Sequence, residues 1–591
     1  MRGFYTANDR QYTYLGVRGF LRPGDYNSRV LLLINGHRLN ENVYNSALIG
    51  TEFPLDLDLI DHIEVVRGPG SSLFGTNAVF AVINVITRSP GGNSAIEVSG
   101  DTASFLGRKG RISATVSKGK LEGLFSGSLY RSAGVPQLFF PEFDAPDTNF
   151  GLAEDVDGDH YSQAFGRVQY GGFRAQGMYS SRTKTVPSAL YGSIFNDPAT
   201  QETDAFAQGG VEYHHTFASQ TELDLRSSFN RYHFAGQYAF YDPQAGDRTL
   251  YSGISWADWL GLEAVLGRQF GKHRLTLGAS YEYSVDVRQT GRQAGHPFLL
   301  NDSRTPWQAG VFGEAELQLL RKLTLHVGGR LDYFDAYGSA LSPRVALVYS
   351  PSARSTLKYI FGTSFRAPSS FESYYGDGVT TELPPVPLKK ENIESHEVVF
   401  QHSLTPWLVV TADGYFNVLD NLIDHVNDPA TGMNESVNVG EAADRARGLE
   451  VEIEAKRASG LGARASYELA DARDNLQAVR LANSPFHQAK LHASLPATRR
   501  AFFGIEFLYA SAQRSYQGTL VPASSLSNVT FSTRPLWGGW EFAASCYNVF
   551  NRSSFAPMGP FEIPAAIRQD GRSYRFNVSY RLPLRHEGSR P

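Results

Sequence analysis

The densest chemistry in this chain is carboxylate. Asp144, Asp147, Asp155, Asp157 and Asp159 crowd one polar stretch, 132–160. Within it, Asp155-Val-Asp-Gly-Asp159 sets oxygen ligands at alternate positions with a glycine for the turn, as a short Ca²⁺ loop does. The distal bidentate Glu of an EF-hand is missing, so the competing reading is a solvated acidic loop, with no resident metal or cofactor. His214-His215 is a poor chelating pair, because adjacent strand residues point to opposite faces. No Ser/His/acid set can be placed, and the expectation is a protein without catalysis. The single cysteine, Cys546, excludes an internal disulfide and a Cys-cluster metal site, and reads as a small apolar residue.

Two other segments suit the holding of a small molecule. Asn40-Glu41-Asn42-Val43-Tyr44-Asn45 follows an apolar run, and Ser72-Leu73-Phe74-Gly75-Thr76-Asn77 precedes another. Amides and rings together offer adaptable hydrogen bonds and stacking area, although the same amides dominate ordinary turns. Asn42, Tyr44, Asn45, Phe74 and Asn77 are the ligand-binding candidates. Tyr191, Phe195, Tyr374 and Tyr375 are secondary ones, since aromatic residues also form interfacial girdles. Arg18 and Arg67 stand beside Gly19 and Gly68, and Glu397 and Glu450 fall on the polar parity of alternating stretches. Enclosed charges of this kind require partners.

Two kinds of element must position these residues. In residues 1–91 the apolar runs Arg29 to Ile34, Ile60 to Val66 and Val79 to Thr87 are short and continuous, and the first ends at the turn signal Asn35-Gly36. They read as strands buried on both faces of a small globular domain. After Pro90-Gly91-Gly92 the texture changes to long alternation. Leu449, Val451, Ile453 and Ala455 alternate with Glu450, Glu452, Glu454 and Lys456; Leu323, Leu325, Val327, Leu331 and Tyr333 alternate with Thr324, His326, Arg330 and Asp332. A period of two gives one wet face and one apolar, aromatic face. Tight turns at Lys118-Gly119-Lys120, Tyr170-Gly171-Gly172, Gly271-Lys272-His273, Leu320 to Lys322, Pro351 to Ala353, Leu404 to Pro406, Ala458 to Gly460 and Trp537 to Gly539 alternate with long polar stretches.

That pattern describes an outer-membrane meander of about 22 antiparallel strands, each spanning roughly 9–11 residues. A lumen of that width is not filled by its own side chains, so residues 1–91 are expected to plug a barrel formed by 92–591. Composition agrees. The chain has 591 residues, 42% hydrophobic, 13% aromatic and 19% charged, with 57 Gly, 30 Tyr and 38 Phe. No run of roughly 18 apolar residues exists, which excludes a helical membrane protein. A net charge of −4 leaves no basic footprint for nucleic acid.

Several motifs carry a family resemblance: Val17-Arg18-Gly19-Phe20; Arg29 to Leu39 (RVLLLINGHRL); Ile63 to Gly75 (IEVVRGPGSSLFG); Ala78 to Arg88 (AVFAVINVITR); Gly362 to Pro368 (GTSFRAP) followed by Leu388 to Asn392 (LKKEN); Arg447 to Glu450 (RGLE); and Asn548 to Asn551 (NVFN). This ordered set resembles TonB-dependent outer-membrane receptors over nearly the whole chain. The resemblance implies active import of a scarce small ligand, of siderophore–iron, haem or cobalamin class, across the outer membrane of a Gram-negative bacterium. It implies a monomer set in outer-membrane lipid, energised through TonB with ExbB and ExbD, and binding its small-molecule or metal-chelate ligand between plug apices and barrel loops. It also implies that plug arginines pair with barrel glutamates, here Arg18 and Arg67 with Glu397 and Glu450; separate solvation by lumen water is the alternative. A passive porin-like diffusion channel and a ligand-sensing receptor are the competing functions.

Family plugs begin earlier, with a signal peptide, a TonB-contacting box and the first plug strands, whereas this chain starts inside the plug. A misassigned start codon or a fragment is the expectation, and the bare 591 residues are then not energised alone. Residues 583–591 also follow Leu582, where family barrels end on an aromatic residue.

Overall fold

The computed structural model describes residues 1–92, 94–242, 246–377, 382–428, 430–439, 443–474 and 479–584. Strands from Ala95–Ala103 to Ser573–Pro583 form one closed antiparallel barrel, with 22 strands in the ring among the described residues. Closure is made by the first and last strands, in register from Ala103 opposite Arg575 to Ala95 opposite Pro583. Closing the sheet leaves no barrel strand with an unpaired edge, which lipid would penalise through each unsatisfied peptide group.

The period-two pattern is realised in three dimensions. Leu449, Ile453, Phe416, Val327, Leu331, Phe576 and Val578 are exposed on the outside. Their inward neighbours Glu450, Asp413, Tyr415, Arg330 and Asp332 are buried against the plug. Every tight turn read from the sequence joins adjacent strands, as at Lys118–Leu121 and Tyr170–Phe173. Further short connections fall at 217–220 and 497–500, where no glycine or strong turn pair marks them.

The expectation of uniform spans is corrected. Thr221–Tyr241, Arg248–Phe270 and His273–Gln293 run 21, 23 and 21 residues, well beyond the hydrocarbon layer. The surplus stands as a wall on the long-loop side. Small hairpins in the loops, Gln137–Phe139 with Leu152–Glu154 and Phe555–Pro557 with Ala566–Arg568, fold inward there over the plug.

The plug begins with a hairpin, β1 (Phe4–Asn8) and β2 (Thr13–Val17). A four-stranded sheet follows, built from β3 (Val30–Ile34), β4 (His37–Arg38), β5 (Ile60–Arg67) and β6 (Ala81–Thr87) in the order β4-β3-β6-β5, with β3 and β6 parallel. The β3–β4 turn needs positive φ at both central residues, and Asn35 and Gly36 supply 51° and 84°. A one-turn helix, α1 (Ser71–Phe74), links β5 to β6. β3 is buried throughout and β6 largely so, as expected. β5 is not: Asp61, His62, Ile63 and Glu64 are exposed. It is an edge strand of the sheet and has a neighbour on one side only, so its apolar run is half covered rather than sandwiched.

Candidate functional site

Two arrangements bring chemistry-bearing residues together: charge clusters that tie plug to wall, and a cavity roofed by the long loops.

The first cluster gathers the motif arginines. Arg18 has φ of 52° and follows directly from β2, so the turn aims its guanidinium at the wall. Its three nitrogens reach Glu450 at 3.0 Å, Glu397 at 2.9 Å and Asp413 at 3.1 Å. Arg67, at the end of β5, joins Glu450 at 2.6 Å and Asp413 at 3.5 Å. Arg2 adds contacts at 3.1 and 3.4 Å to the same two carboxylates. Asp413 and Glu450 are 0% exposed, so three cations and three anions balance in an enclosed volume, the condition under which buried charge is tolerated. Arg18 also lies 4.4 Å from the Tyr415 ring centroid. Burial opposes the Arg18 charge, but Glu397, Glu450 and Asp413 outweigh it and hold its pKa well above the ordinary guanidinium range. Asp413 was missed by sequence reading, although its parity opposite Ala412 marked it as inward. Gly68 is required here by its φ of 75°, and a Cβ there would stand 3.4 Å from Glu397.

A second cluster explains two further motifs. Arg366 of the GTSFRAP segment makes bonds of 2.9 and 2.8 Å to Glu391 of the LKKEN segment, and bonds of 2.8 and 2.9 Å to Glu372. Glu372 belongs to a helix, α2 (Ser370–Tyr374), whose capping box with Ser369 fixes it. Arg29, at the start of β3, meets the same Glu391 at 3.0 and 2.7 Å. Segments remote in sequence thus converge on one carboxylate.

The cavity lies on the long-loop side. Plug residues Tyr12, Tyr26, Tyr44 and Glu52 line its floor; Glu202, Asp204, Tyr232, Phe234, Tyr238 and Tyr251 line its wall; Tyr191, Phe371, Tyr375 and Glu382 close it from above. It encloses about 60 Å³. Asp204 accepts hydrogen bonds from Tyr12 (2.9 Å) and Tyr232 (2.8 Å), and Glu202 accepts from Tyr238 and Gln11. Burial pushes the Glu52 and Glu382 carboxyls up to about 8.

Of the ligand candidates read from sequence, Tyr44 is at the centre of this cavity, packed on Tyr26, Phe234 and Phe371. Asn42 donates to Glu282 and Ser284 on the wall, and Asn45 donates to the Ala367 carbonyl. Phe74 lies elsewhere, on α1, bordering a second cavity of about 270 Å³ between the plug and the wall strands. Asn77 is fully buried, donates to the Ser28 carbonyl and accepts from Arg38, which is turn chemistry. Among the secondary candidates, Tyr191 and Tyr375 line the first cavity; Phe195 stacks on Phe143, and Tyr374 lies under Arg304. The wall tyrosines and the four carboxylates were not anticipated; an inward acidic pair two residues apart, Glu202 and Asp204, was the available signal. The Asp155 to Asp159 segment does not gather its carboxylates: Asp157 pairs with Lys184 at 2.6 Å and Asp159 with Arg182 at 3.2 Å. Among the described residues no group of three or more His, Cys, Asp or Glu could hold a metal ion.

Comparison with known proteins gives a consistent result. Residues 144–549 match the family model "TonB dependent receptor-like, beta-barrel", and residues 2–82 match "TonB-dependent Receptor Plug Domain". The chain is 28% identical to the vitamin B12 transporter BtuB of Vibrio vulnificus over 69% of its own length and 61% of the relative's, and so spans about three fifths of that protein. Among solved structures, the ferric enterobactin receptor PfeA of Pseudomonas aeruginosa superposes with a TM-score of 0.77 at 15% identity, covering 98% of this chain and 95% of that one. The pyoverdine receptor FpvA of the same species gives 0.77 at 14%, covering 98% and 90%. At such identities the structures establish a shared fold.

Proposed function

The chain belongs to the TonB-dependent receptor family, and from that premise we propose that it actively imports a scarce small ligand of siderophore–iron, haem or cobalamin class across a Gram-negative outer membrane. The observation that carries this reading is the enclosed aromatic cavity, lying between plug and long loops directly above a plug held by buried ion pairs. Ligand enters from the loop side, which faces outward; the plug, tied at Arg18, Arg67 and Arg29, blocks free passage beneath it.

A porin-like channel requires an open lumen, whereas here the inward residues Glu450, Asp413, Tyr415, Arg330 and Asp332 are buried against the plug. Passage therefore needs work on the plug, and TonB with ExbB and ExbD is the partner complex that this reading assigns. The closed ring, with every barrel strand paired, suits a monomer surrounded by lipid. The test is accumulation of radiolabelled ferric chelates and cobalamin in receptor-deficient cells carrying the 591 residues joined behind a signal peptide and a TonB-contacting box, with and without TonB. Accumulation that requires TonB is expected for at least one ligand; equal accumulation without TonB would establish passive diffusion instead.

A further inference from the structure

This inference rests on the import reading above and concerns what the loop-side cavity selects. Many of its hydroxyls are already engaged: Tyr12 and Tyr232 donate to Asp204 at 2.9 and 2.8 Å, Tyr44 donates to Ser255 at 3.3 Å, and Tyr26 with Tyr191 and Tyr251 with Tyr375 share one hydrogen bond per pair. Two of its acceptor atoms are not. Glu52 Oε2 and Glu382 Oε1 line the cavity on residues only 4% exposed, and neither accepts a hydrogen bond. No lysine or arginine lines it. Arg182, behind the Tyr12 ring, gives its Nε to Asp159 at 3.2 Å, and its Nη1, which makes no hydrogen bond, stands 3.9 Å from both Glu52 and Asp204. Of Glu52 and Glu382, it is therefore Glu382 that has no cation beside it among the ion pairs of the described residues.

A buried carboxylate oxygen without a donor is costly, and aromatic faces around it favour a cation. The volume of about 60 Å³ admits an end group and not a whole chelate. We propose that this cavity receives a positively charged nitrogen, an ammonium or guanidinium, at the end of the imported ligand. The protein thereby prefers cationic, amine-bearing chelates to polyanionic ones.

The experiment titrates the purified full chain in detergent with ferrioxamine B, a ferric trihydroxamate ending in a free alkylammonium, with its N-acetylated form, and with the trianionic tris-catecholate ferric enterobactin. The ammonium form should bind at least about ten-fold more tightly than the N-acetyl form, and the catecholate most weakly. Glu382→Gln and Glu52→Gln should each remove about ten-fold from the ammonium form alone, with unchanged heat-modifiable mobility showing an intact barrel. Glu382→Arg should bring the catecholate above the ammonium form. Equal affinities for the two trihydroxamates, including no binding of either, or a native preference for the catecholate, would overturn the charge selection. The import reading is judged separately, by whether accumulation of any ligand needs TonB.

Discussion

Arg366 and Glu391 are joined by two parallel bonds of 2.9 and 2.8 Å, and the same carboxylate holds Arg29 of the plug. Glu391 thus serves barrel and plug together. Glu391→Ala leaves two guanidinium groups buried with their shared partner gone, although Glu372 still holds Arg366. The expected loss is about 3–5 kcal/mol of stability, read as a lowered denaturation midpoint in detergent. Arg29→Met should cost less, because the Arg366–Glu391 pair survives.

The plug clamp at Arg18 makes a separate prediction. Arg18 and Glu450 share one contact at 3.0 Å inside a balanced cluster of six charges. In a double-mutant cycle with Arg18→Met and Glu450→Gln, the two losses should fail to add by about 1.5 kcal/mol or more. Protease accessibility of the plug is the measurement; additive losses would mean that the two charges are solvated independently.

Lipid contact predicts a directional asymmetry. Leu449 faces outward opposite Gly414, near the middle of its strand, while Ser466 faces inward opposite Glu452. Leu449→Arg places a charge at the bilayer centre and should cost about 2–4 kcal/mol. Ser466→Arg enters the wet side beside a carboxylate and should change stability by less than about 1 kcal/mol. Refolding into lipid vesicles under urea measures both.

The barrel was legible because lipid and lumen impose a strict period of two, which Leu449 to Lys456 displays without exception. Turns were legible where glycine marked them, as at Lys118-Gly119-Lys120, and illegible at 217–220, where ordinary residues turn the chain. β5 carries the same apolar run as β3, and sequence does not say which strand lies at a sheet edge. Asp413 stood in an alternating stretch with its parity visible, yet nothing local distinguished a carboxylate that meets three arginines from one that meets water. The cavity was least legible. Tyr12, Tyr238 and Glu382 come from three remote segments, and only the closed fold makes them neighbours. Phe74 and Asn77 had the right chemistry, but α1 directs Phe74 toward the wall and the turn consumes Asn77.

Aromatic packing in the cavity gives a prediction independent of charge. Tyr44 touches Tyr26, Tyr232, Phe234 and Phe371, so Tyr44→Ala removes the central ring. Ligand affinity should fall about ten-fold or more. Barrel mobility on gels should not change, since Tyr44 belongs to the plug. Tyr44→Phe loses only the 3.3 Å bond to Ser255 and should stay within about three-fold.

Two buried cavity carboxyls, Glu52 and Glu382, fix the sign of a pH effect. Burial raises Glu52 and Glu382 to about 8, with Arg182 working against the shift at Glu52 and Asp377 adding to it at Glu382. Near neutral pH both groups are therefore largely protonated, and a bound ammonium favours their ionised forms. Binding then releases protons, so affinity for an alkylammonium chelate should rise from pH 6 toward pH 9, by up to about ten-fold per pH unit for each proton released, and level off above. The alkylammonium stays charged across that range, its ordinary pKa being about 10.4. Glu202 and Asp204 on the wall face the same cavity, held by Tyr238 and Gln11 and by Tyr12 and Tyr232, and Glu202→Gln with Asp204→Asn measures their share of the slope. The N-acetylated chelate should show a flat profile, and Glu52→Gln with Glu382→Gln should flatten the profile of the ammonium form. A native profile that falls with rising pH would place the titrating groups elsewhere.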